Sequence, residues 1–343
     1  MMRSELSQAH ADSSTSSNTT FVVGRLLTSR SGLAMMGLAL LFVVSAVVAP
    51  SSIHIEAILL MLPFACILGI AALGQQLVIQ HRGLDLSVGG AISLVCVLCT
   101  HGIATDASPS DIVIRLIFVV LAAAAVGFVN GVLIVKFKLQ SLVTTIGVNG
   151  VLMGFVLWIS NGTPGNAPQL LGQFSLGRSA GMPNTLLIAA VVIAIASVVL
   201  ERTKVGRRFV LASTNGPAAE AVGLRTARIE IGAYTLAGIC YGVGGMLLAG
   251  LLSVPSLTVG QIYLLTSVAA VVLGGNSLTG GRASAVSTLV GALFMTQLGQ
   301  MLVAAGFDRS VQNVMQGIIV VAGASIHAIV PRILSSRSSM PAK

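Results

Sequence analysis

Ten apolar stretches, separated by short polar connections, set the rhythm of this chain. They run at roughly 32–49, 57–79, 87–105, 115–135, 141–160, 185–200, 231–252, 262–276, 283–304 and 311–330. A helix needs about 20 apolar residues to cross a bilayer, so the pattern predicts an all-α polytopic membrane protein with about ten transmembrane helices. Several stretches are short, the eighth most of all, which predicts tilted, broken or interrupted helices. Residues 1–31 are rich in Ser and Thr and read as a disordered tail. Residues 32–330 form one membrane domain, and 331–343 a C-terminal tail. Arg25 and Arg30 ahead of Leu33–Val48 resemble the flank of a signal peptide, but the run and its preceding tail are both long. An uncleaved first span fits better.

Composition sharpens this picture. Only 8% of the 343 residues are charged and 55% are hydrophobic, against about 25% charged in a soluble domain. The 38 glycines suit closely packed membrane helices. The net charge of +9 lies in short connections rather than in patches with aromatic residues, which argues against a nucleic-acid partner. With the N-terminus inside, sixteen of the 19 basic residues fall on the inner side and only Arg115, Arg178 and Arg309 on the outer. That bias predicts both termini in the cytoplasm. Cys66, Cys96, Cys99 and Cys240 all lie in apolar runs and read as packing residues. The five histidines are scattered without ligand spacing, so neither a metal centre nor an embedded enzyme is expected.

Two connections are long. Asn161–Asn184, with three prolines and five glycines, either covers the outer mouth, meets an extracellular partner or simply links two spans. Glu201–Glu230 is the longest cytoplasmic connection. In it Asn215, Pro217 and Ala218–Val222 read as a cap, a first helical position and a short helix ended by Gly223. Such a helix is either a docking element or an ordinary solvated loop helix.

Polar residues inside so apolar a chain are the candidates for function. Asp85 stands in "GLDLSVGGA" (83–91), which recurs as "GNSLTGGRA" (275–283). Gly83 then matches Gly275, Asp85 matches Ser277 and Ser87 matches Thr279. The recurrence suggests a duplicated unit. The span count puts both copies on one side and implies parallel repeats, whereas a re-entrant copy would make them inverted. Glycines with Asp, Ser and Thr mark backbone leaving regular helix, tolerated at membrane depth only where protein or a water-filled cavity receives it. An ionised Asp at a helix centre costs about 2.5–3.5 kcal/mol on insertion scales, so Asp85 is expected near the interface, capping the next helix or facing a polar path. Asn130, beside Gly127 and Gly131, and Asn149 read as interhelical glue or as solute contacts.

At these residues the chain resembles the inner-membrane permease subunit of ribose-type bacterial ABC sugar importers. The resemblance rests on "GQQLVIQHRGLDLSVG" (74–89), "GFVNGVLIVKFKLQSLVTTIG" (127–147), "NGPAAEAVGLRTARIEIGAYTLAG" (215–238) and "VAAVVLGGNSLTGGRAS" (268–284), in family order across about 33–330. Arg82, Gln140, Ser141 and Ala283 depart from the family pattern. The resemblance implies that 32–330 is a transmembrane permease domain in the bacterial inner membrane, paired with a second copy or a paralogue. It also implies a periplasmic sugar-binding protein outside and a separate ATPase subunit inside, which would hold the ATP and Mg. The chain has no G-x-x-x-x-G-K-[ST] phosphate loop of its own. The resemblance makes 201–230 the coupling loop, with Pro217, Ala218, Glu220, Gly223, Leu224 and Arg225 meeting the ATPase. The solute-path candidates are Asp85, Ser87, Asn130, Asn149, Asn276, Ser277 and Thr279. An ion-coupled secondary transporter is the rival reading, because such proteins keep intramembrane carboxylates.

Overall fold

In lipid, a long apolar segment can satisfy its own backbone only as helix, and all ten predicted spans are helical. The computed structural model describes residues 30–338. In chain order the helices are α1 (Arg30–Val48), α2 (Ile55–Gln80), α3 (Val88–Thr100), α4 (Pro109–Val135), α5 (Ser141–Ser160), α6 (Gln169–Leu176), α7 (Asn184–Arg202), α8 (Lys204–Thr214), α9 (Gly216–Ala221), α10 (Thr226–Leu252), α11 (Tyr263–Leu273), α12 (Ala285–Ala304) and α13 (Arg309–Ser338). A small antiparallel hairpin, β1 (Arg178–Ser179) with β2 (Met182–Pro183), separates α6 from α7. The predicted tails lie, for residues 1–29 and 339–343, outside the described residues. The backbone of α13 continues to Ser338, past the predicted end of the last span at 330.

Helix α2 is apolar on every side and almost wholly buried from Met61 to Gln80, as expected of a helix at the centre of a bundle. Helices α3, α10 and α12 pack against it. Helix α4 lies along α10 through its small face. A Cβ on Gly127 would strike the Tyr234 carbonyl, and one on Gly131 would come within 2.9 Å of the Ile231 Cα. The G-x-x-x-G pair therefore serves close backbone approach. The periphery exposes apolar side chains such as Leu40, Leu121, Trp158 and Ile195, the surface a lipid-facing belt requires.

The helices repeat, though not at the interval suggested by the recurrence at 275. A shift of 171 residues carries α2 onto residues 226–251, the span of α10. The same shift carries α3 onto the 3₁₀ turn Val259–Ile262 with α11, α4 onto the region of α12, and α5 into α13. It also aligns Asp85-Leu86-Ser87-Val88-Gly89 with Ser256-Leu257-Thr258-Val259-Gly260. Helices α2 and α10 run antiparallel: Leu77 clusters with Ala233, while Ile67 lies beside Gly244. The two units are therefore inverted, and the parallel arrangement implied by the 192-residue recurrence is not the one the helices adopt. The segments around Gly83 and Gly281 do share one end of the bundle, where the Gly281 N–H donates to the Gln80 carbonyl (3.0 Å).

Helices α3 and α11 have 13 and 11 residues, about 20 and 16 Å, too short for a hydrocarbon core of ~30 Å. Their starts meet inside the bundle. The Gly260 N–H donates to Ser93 Oγ (3.0 Å), and a Cβ on Gly260 would run into the Gly89 carbonyl. A Cβ on Gly89 would in turn lie 3.0 Å from Leu264. Leu264 is the residue that the 171-residue shift matches to Ser93, so the contact is reciprocal, as it must be at a two-fold axis between the units.

Candidate functional site: a re-entrant loop held by four helices

Helix α2 ends where Arg82 adopts φ +63°, with the Gly83 N–H returning to the Val78 carbonyl (3.2 Å) and the Arg82 N–H to that of Ile79 (2.8 Å). This is the closing turn usually given to glycine. The chain then climbs back into the bundle. Gln75 bonds the backbone of Asp85 at both ends: its amide nitrogen donates to the Asp85 carbonyl (2.9 Å) and its oxygen accepts from the Asp85 N–H (3.1 Å). Gln75 lies five residues before the end of α2, about 7.5 Å along its axis. Asp85 is thus fully buried inside the bundle, near one end of α2.

Its carboxylate starts α3. Oδ1 accepts from the Ser87 N–H (2.9 Å) and the Ser87 hydroxyl (2.6 Å), the side-chain turn that Asp offers a helix start. Ser87 Oγ in turn accepts from Asn130 Nδ2 (2.7 Å), joining α4 to the chain. The Tyr241 hydroxyl accepts from Gln75 (3.1 Å) and faces Asp85. No well-formed bond reaches Asp85 Oδ2 or Asn130 Oδ1.

Helix α5 closes the other side with three residues at i, i+4 and i+8, one helical face. Ser141 Oγ accepts from the Leu84 N–H (3.3 Å), Thr145 Oγ1 from Leu86 (3.0 Å) and Asn149 Oδ1 from Gly90 (2.7 Å). Thr145 also donates to the Leu84 carbonyl (3.2 Å). The N–H groups of Leu84, Asp85, Leu86, Ser87 and Gly90, which a re-entrant loop would otherwise leave unpaired in an apolar bundle, each have a side-chain partner here. Asn149 therefore binds a helix start rather than another side chain.

The other candidates gather separately. Asn276 donates to Thr288 Oγ1 (2.8 Å) and accepts from the Ser284 N–H (2.9 Å), and Thr288 donates to Gln76 (2.6 Å). Ser277 and Thr279 repeat the Asp85–Ser87 turn: the Thr279 N–H donates to Ser277 Oγ (3.2 Å), and their hydroxyls lie 2.7 Å apart. This copy is exposed at Thr279 and half-buried at Ser277. Neighbouring residues of α2, Gln75 and Gln76, thus hold the two clusters apart.

The coupling candidates stand on a third element. Asn215 caps α9 by accepting from the Ala218 N–H (3.1 Å), Pro217 stands in its first turn, and Gly223 at φ +82° ends it. Pro217, Ala218, Glu220, Gly223 and Arg225 are exposed and Leu224 half-buried, while Glu220 accepts from the Thr226 hydroxyl. Helix α8, an element the sequence did not disclose, joins this surface to the loop. Phe209 packs with Leu77 and Ala233 and meets the His81 ring edge-on at 4.6 Å. Arg82 Nη2 reaches the Thr214 carbonyl (3.4 Å). Burial lowers the His81 pKa to about 4, so this contact is made by a neutral ring. Among the described residues, no three His, Cys, Asp or Glu side chains gather as a metal site, and all four cysteines are free and buried.

Sequence reasoning missed Gln75, Gln76, Ser141, Thr145, Tyr241 and Thr288. The four-residue spacing of Ser141, Thr145 and Asn149 was the available signal for α5. Nothing in the sequence marked Tyr241 or the glutamines as bonded to the loop.

A multi-pass bundle with an internal inverted repeat, half-helices meeting within it and a helical connection at one end is the architecture of a transport permease. The chain belongs to the branched-chain amino acid transport system / permease component family, whose model matches residues 57–323. It is a multi-pass inner-membrane transport subunit and not an enzyme. Among its relatives, the ribose import permease protein RbsC of Escherichia coli K12 is 30% identical over 83% of this chain and 90% of its own length. RbsC of Bacillus subtilis 168 is 32% identical over 83% of this chain and 88% of its own. The autoinducer 2 import system permease protein LsrC of Salmonella typhimurium LT2 is 31% identical over 80% and 79%. No solved structure matches the chain with significance.

Proposed function

We infer that this chain is the membrane-spanning permease of an ABC importer for a monosaccharide or a similar small polar solute. A periplasmic binding protein delivers the solute, and a separate ATPase subunit, which holds ATP and Mg, drives the cycle at α9. A second copy or a paralogue completes the channel, with both termini in the cytoplasm. The ribose and autoinducer 2 permeases among the relatives support the solute class. The observation that carries the mechanism is the unbroken line of contacts from α9 through α8 to His81 and Arg82, and so to the loop at Asp85. An element pressed from the cytoplasm would move the end of α2, and with it the loop that starts a half-helix.

Co-expression of the tagged chain with the ATPase encoded beside it, followed by pull-down and vesicle uptake of radiolabelled D-ribose, tests this reading. Glu220→Pro breaks α9 and is expected to release the ATPase and stop uptake while leaving membrane insertion intact. Normal ATP-driven uptake by that variant removes α9 from the coupling role. The depth of Asp85, with Oδ2 unbonded, favours the rival ion-coupled transporter, because such carboxylates serve as relays. A chain that needs no ATPase and moves solute under an ion gradient would establish that rival.

A further inference from the structure

The 171-residue shift matches the helices of the two units, but the seams beside their half-helices differ. In the first unit α5 latches the start of α3 through Ser141, Thr145 and Asn149. Shifted, these become Gln312, Gln316 and Val320 on α13, and their backbone partners Leu84, Leu86 and Gly90 become Pro255, Leu257 and Gln261. Pro255 has no N–H to give and Val320 has no acceptor to offer. Two of the three latch bonds are chemically impossible in the second unit. Helix α13 accordingly packs sparsely on α11, and a cavity of about 1140 Å³ opens between α11, α13, α12 and α2.

Apolar walls from Met61, Leu68 and Met295 face an amide-rich side formed by Gln261, Gln312, Asn313 and Gln316. The buried Gln261 Nε2 has no partner. No lining residue is charged, so a charged solute would find no counter-ion, whereas amides offer donors and acceptors together, as hydroxyl groups require. The cavity lies toward the Ala304–Arg309 end of α12 and α13, away from Gln80 and α9.

We propose that the α11–α13 seam is the solute gate of this permease: its cavity admits a small, neutral, polyhydroxylated solute from the side opposite α9, and α13 moves against the latched α3–α5 frame. The proposal rests on the transport reading and deepens it by naming the chamber and its moving wall. Inverted units whose conformations differ are a general basis of alternating access.

The test uses the permease assembled with its ATPase in right-side-out vesicles. Gln316→Cys places a thiol in the cavity, with the native cysteines buried elsewhere. A membrane-impermeant cationic methanethiosulfonate added outside is expected to label it within minutes. Val320→Asn supplies the acceptor that Asn149 gives on α5 and is expected to slow labelling at least tenfold and stop D-ribose uptake. Pro255→Ala, which restores the missing N–H, is the second variant and should slow labelling in the same direction. A thiol that never reacts means a lipid-filled seam and overturns the gate, as do equal rates in all three backgrounds. Gln261→Leu should raise the KM for D-ribose uptake at least fivefold with Vmax kept, and an unchanged KM overturns the solute assignment. Labelling needs neither ATP nor solute, so a complex that imports no monosaccharide or other small polar solute sinks the transport reading while the labelling still decides the gate.

Discussion

The α3–α5 seam and the α11–α13 seam are built on the same helical plan and reach opposite outcomes. On α5, a hydroxyl, a hydroxyl and an amide at four-residue spacing meet three backbone N–H groups and close the gap. On α13, the matching face carries two long amides and a valine, opposite a loop in which proline has removed one donor. The packing of helices around the two half-helices is otherwise alike, with α10 against α3 and α2 against α11. A few side chains, rather than topology, therefore decide which seam holds and which opens. Membrane helices have little hydrophobic drive to associate, so three directional bonds count for more there than they would in a soluble core.

The comparison is broken most severely at the axis the seams share. Gly260→Val pushes a branched side chain into the Gly89 carbonyl and Ser93 and is expected to cost about 3 kcal/mol, read as loss of monodisperse protein. Gly147→Ala, with no atom within 4 Å of its Cβ, should leave the yield unchanged. Thr145→Val unlatches the first seam. It removes the acceptor for Leu86 and the donor to Leu84, for an expected loss of about 2 kcal/mol in the thermal unfolding of the purified complex. Asp85→Asn sharpens the contrast with the neutral Ser277 copy. The amide oxygen can keep the turn, so stability should fall by about 1 kcal/mol with transport nearly normal, and a stable but transport-dead variant would assign Asp85 to the path. Arg82→Gly relieves the left-handed backbone and should gain about 1 kcal/mol, visible as a higher Tm.

The ten apolar runs were legible as helices because lipid leaves helix as the sole solution for such a run, although α3 and α11 prove too short to span. The short eighth span announced its half-helix, and Asn215, Pro217 and Gly223 announced α9, since capping chemistry is local. Helix α8 escaped because it is short and polar on average, so a reading led by hydropathy passes over it. The repeat was misplaced for a related reason. The match at 275 is richer in glycine and reads more loudly than Ser256–Gly260, yet glycine there serves a turn, with Gly275 at φ +83°. Five plainer residues carried the true period. The capping role of Asp85 was legible because Ser87 is two residues away, whereas Gln75 and Tyr241 were not, since they come from other helices.

At the contact between Gly89 and Gly260, a Cβ on Gly260 would run into the Gly89 carbonyl, and one on Gly89 would press on Leu264 at 3.0 Å. A pore through the pseudo-symmetry axis is therefore ruled out by volume. The meeting point of the half-helices is backbone set against backbone, narrow enough to be shared by both units. A solute path through this chain would run beside that contact rather than along it.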